Sequence, residues 1–562
     1  MDTKTLNHLG SKPLKEVIEK VGGWPGSDNW TKTDFNETLK LLMSKFNTFP
    51  FFKAYLDSTP WDPMTNRIQI DPPEFDIFSD IGSSDTKYDG QDDNEYRKYL
   101  WSVNLLLNGS SSQFIQDVFV FTSKLHQAVT PMPDRIKQRK LYQRSSAQEL
   151  QAVAPAINWM TCLQDTFHGF DLNRSQEIIV HDMDYLVAMS QIISQVQNSS
   201  VLQGYMVLAL MQTLSPYLDE RFLEARERFQ NSLHQPQAAP RWETCLHLTN
   251  QFFEPALSRM FIQQTVSQKS ERLALDIFLI IKDALHSAIG KFKWMDKKTQ
   301  KDAQKNLENV QLELGIPQKY KAPSLMSQNK VTLNKEHLLR NALQLISWSR
   351  LAALPPWSAT PWSVYSYYSQ RQKLLVIPAG LMQPPFFHLH YPSAVNFGGL
   401  GFIMAHELIH SLHDYVLSIL WGETEGNPEE MQCLQDHYDT LLVLENNIMM
   451  NNSLRLLENM ADSGGLYIAQ KAYESWILKH HPETSLPDVA LTTKELFYIS
   501  YGQIMCGILS PEDLMSHLET NPHSPPALRV NGAVSNDHEF SYTFQCGTKA
   551  AMNPQPKCKL WS

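Results

Sequence analysis

Two histidines four residues apart, with a glutamate directly after the first, stand at His406-Glu407-Leu408-Ile409-His410. On a helix, residues i and i+4 lie about 40° apart around the axis and one turn apart along it. Both imidazoles then aim at one point, a two-point grip on zinc. Glu407 is rotated roughly 100° from His406, so its carboxylate stands beside such an ion rather than on it. That is the place of a general base acting on a metal-activated water. The bland alternative is an amphipathic helix with two incidental histidines, and the pentapeptide alone does not decide.

A catalytic zinc takes three protein ligands and keeps one position open. The candidate third ligand is Glu458, in Leu456-Leu457-Glu458-Asn459-Met460-Ala461-Asp462, 48 residues beyond His410. Asp462 follows one turn later on the same face. If Glu458 binds the ion, Asp462 can accept the outer N–H of a ligating histidine and fix its tautomer. A Glu/Asp pair at this spacing is by itself an ordinary solvated face. The upstream histidine pair gives it meaning, and the set implies one zinc ion per chain.

Helices must carry these residues. Apolar residues at three- and four-residue spacing predict helix through most of 31–345, including Asp184 to Val196 and Glu271 to Leu314. Phe75 to Glu95 reads as an exposed acidic loop without the aspartate spacing of a calcium loop. Composition shifts near Pro355-Pro356 and Pro361. The expected organisation is a mostly helical region over 1–345 and a zinc catalytic domain over 346–562, with interleaved lobes. Lys373 to Gly380 (KLLVIPAG) reads as a short strand ending in a turn, and helical periodicity resumes near Ala394.

The 562-residue chain is too long for one core. Its net charge of −10 and the lack of a basic stripe speak against nucleic acid as a partner. No apolar run reaches the roughly 18–20 residues that cross a bilayer. The N-terminus does not read as a signal peptide. Two features nevertheless point outside the cell. Six N-x-S/T sequons occur, at Asn29, Asn36, Asn108, Asn173, Asn198 and Asn451, and four of the six cysteines cluster after residue 432.

Several separated motifs carry a family resemblance. HELIH and ENMAD are preceded by VIPAGLMQPPFF (376–387) and NFGGLG (396–401). KWMDKKTQKDA (293–303), HSPPALRVNG (523–532) and the C-terminal MNPQPKCKLW accompany them. Together these resemble the neprilysin family of zinc peptidases, which includes the endothelin-converting enzymes. The resemblance implies a mainly α, two-lobed zincin: a thermolysin-like catalytic lobe with the HExxH helix, and a large helical lobe capping a central chamber. It implies His406, His410 and Glu458 as zinc ligands, Glu407 as the group that activates water, and Asp462 as the partner of His406. His523 would donate to the oxyanion of the tetrahedral intermediate. Arg529 would be a bidentate donor to a substrate carbonyl. Tyr365, Ser366, Phe386, Phe402 and Ile403, with Leu381, Ile504 and Met505, fall at positions resembling substrate-binding ones; for the apolar members, core packing is the alternative.

Three departures from the family pattern stand out. The family's N-A-F/Y-Y appears as Tyr365-Ser366-Tyr367-Tyr368, and a phenol cannot pair a peptide N–H and C=O as an amide does. The acidic residue expected after the second histidine is His413, with Asp414 as a possible substitute partner for His410. Finally, the first residues resemble a point inside the family ectodomain. Cys433 and Cys558 are then expected to pair with each other. Cys245, Cys506 and Cys546 would pair with cysteines upstream, and Cys162 has no assigned mate.

The resemblance therefore implies an endopeptidase that cleaves small bioactive peptides, of the endothelin-precursor class, on the amino side of hydrophobic residues. It implies a type II membrane protein with an extracellular catalytic domain, disulfide-linked through an upstream cysteine to a multispanning membrane protein. The alternative is a cell-surface glycoprotein of the same family with weak or no peptidase activity, acting within a membrane complex.

Overall fold

Among the described residues, the computed structural model shows two sheets and a majority of helix. It describes residues 3–561 apart from 28–29, 31–32, 60–61, 74, 76–89, 132–133, 136–137, 139, 141, 169–171, 233–239, 316–331, 352–359, 371, 421, 423–424, 447–452, 481–482, 485, 511–512, 515–516 and 519–520. Most of the expected acidic loop, Pro355-Pro356, Asn29 and Asn451 lie outside the described residues.

One compact unit comprises Met1–Phe253 and Asn329–Pro355. Its strands Lys53–Thr59, Asp62–Asp71, Glu177–Val180 and Gln143–Ser146 lie in that spatial order. The outer pairs are antiparallel and the central pair parallel. Helices begin where a short polar side chain accepts an early N–H: Asp34, Ser111, Asn158, Asp182 and Asn198 all do so. The helix expected over Asp184 to Val196 is Met183–Gln195. A helix over Arg241–Thr265 is broken at Phe253 (φ −126°, ψ 23°), two residues before Pro255. Proline cannot continue a regular helix, and the chain leaves this unit there.

The second unit comprises Glu254–Gln328 and Pro356–Ser562. Its elements are α1 (Gln268–Ile289), α2 (Lys297–Glu308), β1 (Gln311–Gly315), β2 (Tyr367–Ser369), β3 (Leu374–Pro378), α3 (Phe402–Ile409), α4 (Glu429–Asn446), α5 (Ser453–Lys479), α6 (Thr493–Ile504) and α7 (Pro526–Ser535). The helix expected to reach Leu314 stops earlier. Asp296 caps α2 by accepting from Lys298 N and Thr299 N, and after Asn309 the pattern Gln311-Leu312-Glu313-Leu314 alternates with period two. This segment is a strand, parallel to β3, with Leu312 opposite Leu375. The strand read from KLLVIPAG is β3, and β2 lies antiparallel on its other side.

The NFGGLG segment forms a π-helical turn over Phe397–Gly401 that runs into α3. Its glycines permit close backbone approach. A Cβ on Gly398 would sit 2.2 Å from Phe497 O, and one on Gly399 would sit 2.3 Å from Phe386 O. Phe386 O in turn accepts from Leu400 N at 2.8 Å. Several contacts fasten the C-terminal segment, among them one to α4 and one to α5. Cys433 on α4 is bonded to Cys558, as expected, with a Cα–Cα distance of 5.7 Å. Trp561 donates from Nε1 to Ser463 Oγ on α5 at 3.0 Å and packs edge-on to Phe292, ring centroids 5.3 Å apart.

Candidate active site

Helix α3 is apolar on nearly every face: Phe402, Met404, Ala405, Leu408 and Ile409 are all buried. Such a helix belongs inside a core, and it carries His406 and Glu407 inside with it. Helix α5 crosses α3 at Gly465, where a Cβ would lie 2.8 Å from His406 N and 2.9 Å from His406 Cα. Only glycine allows this approach, and the approach brings Glu458 and Asp462 up to the histidines.

His406 Nε2 and His410 Nε2 are 3.2 Å apart. Glu458 Oε2 is 3.4 Å from the first and 3.6 Å from the second. Ligands at the 2.0–2.2 Å bond lengths usual for zinc span tetrahedral edges of about 3.3–3.6 Å. The three observed edges of 3.2, 3.4 and 3.6 Å lie within or at the lower border of that range. Among the described residues no donor meets buried Glu458 Oε2 with hydrogen-bond geometry; the imidazole nitrogens near it lie 3.2–3.6 Å away. A buried carboxylate oxygen without a donor is costly unless a cation faces it. The residues present fit zinc. His523 joins the group, its Nε2 3.2 Å from the same Glu458 oxygen.

Charge is arranged around this point in a chain. His406 Nδ1 lies 2.9 Å from Asp462 Oδ1, on the side opposite Glu458. Asp462 accepts from Arg529 through both oxygens, from Nε at 2.8 Å and from Nη2 at 2.7 Å. Burial alone would raise the Asp462 carboxyl, but Arg529 and His406 outweigh it and hold it down at about 2. Burial works against a charged His406, yet Asp462 and Glu458 raise its pKa to about 9. Burial likewise opposes ionised Glu458, and the surrounding imidazoles hold it well below the usual carboxylate range. Burial raises Glu407, with His406 and a Ser366 hydrogen bond pulling the other way.

The outer side of His410 differs from the expectation. Asp414 does not serve it; its Oδ2 accepts from Gln370 Nε2 at 2.5 Å. His413 stands there instead, one ring nitrogen 2.9 Å from His410 Nδ1 and the rings edge-on at 4.3 Å. Residues i and i+3 share a helix face as i and i+4 do, so His413 intercepts the position first. Burial lowers the His413 pKa to about 4, which keeps the ring neutral.

His523 is held by Asn521, whose Oδ1 lies 2.9 Å from the His523 backbone N and 3.1 Å from its Nδ1. With Nδ1–H donating there, Nε2 donates towards a substrate only as the imidazolium. Ser524 Oγ donates to buried Asn459 Oδ1 at 2.7 Å, tying this loop to α5 beside Glu458. The bidentate face of Arg529, expected on a substrate carbonyl, is turned to Asp462, leaving its Nη1 edge. Ser366 Oγ donates to Glu407 Oε1 at 2.6 Å. Sequence reasoning missed the roles of Asn459, Ser524 and His413 in this network. Asn459 and Ser524 stood inside quoted motifs, and that adjacency was the available signal.

Among the apolar candidates, Leu381 and Phe402 are core residues at 1% exposure. The Phe402 ring packs on Tyr501 at 4.5 Å. Phe386, Ile403, Ile504 and Met505 are half-buried, and Tyr365 is 53% exposed. Of the sequon asparagines, Asn108, Asn173 and Asn198 are exposed and Asn36 is partly buried. Cys162, Cys245, Cys506 and Cys546 are not in disulfides.

Solved structures share this fold. The fold is similar to that of the Mycobacterium tuberculosis zinc metalloprotease ZMP1 in complex with an inhibitor, with a TM-score of 0.79 at 19% identity, covering 100% of this chain and 87% of that one. PepO from Lactobacillus rhamnosis HN001 gives 0.78 at 18% identity, covering 100% and 88%. The chain thus has a zinc metalloprotease fold. It belongs to peptidase family M13, whose N-terminal family model matches residues 1–317 and whose second model matches residues 365–560. Among curated relatives, the human Kell blood group glycoprotein is 40% identical over 584 residues, covering all of this chain and 79% of that protein. Endothelin-converting enzyme 1 of Bos taurus is 32% identical over 593 residues, covering all of this chain and 78% of that protein. No helix among the described residues is long and apolar enough to cross a membrane.

Proposed function

We propose that this chain is a zinc-dependent endopeptidase of the cell surface. It would hydrolyse small bioactive peptides, of the endothelin-precursor class, on the amino side of hydrophobic residues. The observation that carries the reading is the set of edges of 3.2, 3.4 and 3.6 Å among His406 Nε2, His410 Nε2 and Glu458 Oε2. Those three residues would hold zinc, which when bound lowers the pKa of a water and polarises a carbonyl. Glu407, one helical step from His406, takes the proton of the attacking water and returns it to the leaving nitrogen. Asp462 fixes the tautomer of His406, and Arg529 keeps Asp462 ionised. His523, as imidazolium, donates to the oxygen on which negative charge develops. Half-buried Phe386, Ile403, Ile504 and Met505 supply apolar surface for the side chain after the scissile bond. The Cys433–Cys558 disulfide supports an oxidising compartment.

A second reading follows from Tyr365. The family pattern has an amide there, and this side chain is an exposed phenol. Loss of that anchor favours a Kell-like surface glycoprotein that binds zinc yet turns over peptides weakly or not at all. Hydrolysis of a quenched fluorescent peptide with an apolar P1′ residue separates the two. Turnover that requires zinc and is lost in Glu407→Gln supports the peptidase; stoichiometric zinc with no turnover supports the glycoprotein.

A further inference from the structure

The carboxylate of Glu407 receives its hydroxyl donor from a different element of the fold. Ser366, the residue directly before β2, donates from Oγ to Glu407 Oε1 at 2.6 Å. That is the length of a charge-assisted O–H···O⁻ bond. No second donor to this carboxylate is found among the described residues. Ser366 is placed by strand register: β2 pairs antiparallel with β3, Tyr367 facing Val376 and Tyr368 facing Leu375, both partners fully buried. The hydroxyl is thus mounted on a rigid edge while the glutamate comes from α3. The family pattern resembled at this position has alanine, which offers no such group.

A glutamate carboxylate turns broadly about its last torsion. Fixing one oxygen removes that freedom and leaves the other in a single place. We propose that Ser366 is a positioning residue that clamps the Glu407 carboxylate through Oε1, so that Oε2 alone serves as the base. Misplacement of a reacting group by about 1 Å costs up to about 100-fold in rate, and a freed carboxylate samples displacements of that order. The kinetic consequence rests on the peptidase reading; the clamp itself is a property of the side chains.

The test uses the full chain loaded with zinc, as wild type, Ser366→Ala and Ser366→Thr. Two things are measured: kcat and KM on the quenched peptide, and the Glu407 position in crystal structures. In Ser366→Ala, kcat is expected to fall about tenfold with KM within about twofold and zinc content unchanged. The threonine hydroxyl restores most of the rate. The carboxylate leaves its place in the alanine variant and keeps it in the threonine variant. A Ser366→Ala enzyme with wild-type kcat, or a Glu407 carboxylate unmoved in its crystal structure, overturns the clamp. Zinc-loaded wild type without turnover defeats the peptidase reading instead, and the crystal structures still decide the clamp.

Discussion

Replacing Gly465 by alanine puts one methyl group at the crossing of α3 and α5, away from every ligand atom. The new Cβ would sit 2.8 Å from His406 N, 2.9 Å from its Cα and 3.2 Å from its Cβ. Ordinary contact between such atoms is about 3.5–4.0 Å. None of the three neighbours is the tip of a flexible side chain, so relief requires the helices to part by about 0.7 Å or more. Glu458 and Asp462 ride on α5 and move with it. A zinc site tolerates about 0.2 Å in a ligand distance, so the carboxylate is drawn off the ion. Zinc affinity should fall at least about 100-fold, or about 2.8 kcal/mol. Overpacking adds about 1–3 kcal/mol of lost stability in the metal-free protein. Chelator competition measures the first quantity and urea unfolding without metal the second. A Gly465→Ala protein that binds zinc within threefold of wild type refutes the crossing geometry as the reason Glu458 reaches the histidines.

Three further outcomes follow from the same network. Asp462→Asn strands the Arg529 charge beside His406; zinc affinity should drop about 10–100-fold and stability by about 3 kcal/mol, read by competition and unfolding. His413 is neutral in the folded state down to about pH 4, whereas in the unfolded chain it titrates near 6.5. The unfolded state therefore binds the extra proton between those values, and stability present above pH 6.5 is lost as pH falls. By linkage the loss from pH 7.5 to pH 5 is about 2 kcal/mol in the metal-free protein, and His413→Gln should remove that part of the slope; an unchanged slope contradicts the assignment. Cys558→Ser opens a loop spanning a sequence separation of 125 and should cost about 5 kcal/mol by chain entropy, matching wild type under reductant.

The helix that carries HELIH was legible because period 3.6 alone predicts which of its residues share a face. Glu458 and Asp462 were legible by the same rule within their own helix. Their approach to His406 was not, since it depends on Gly465 against the α3 backbone, a contact across 59 positions in the chain. The neutral partner of His410 escaped for a related reason: His413 and Asp414 both lie within one turn, and only packing chooses between them. Leu314 was drawn into a helix by its apolar spacing, although the two-residue alternation around it is what pairs with β3. The passage of Glu254–Gln328 into the second unit turns on packing between distant segments, which local composition does not encode.

The most direct measurement is anomalous diffraction at the zinc edge from crystals of the zinc-loaded protein. One strong peak is expected within about 2.0–2.2 Å of His406 Nε2, His410 Nε2 and a Glu458 oxygen together. A peak elsewhere, no peak at all, or a Glu458 carboxylate turned away from the two imidazoles would contradict the zinc assignment.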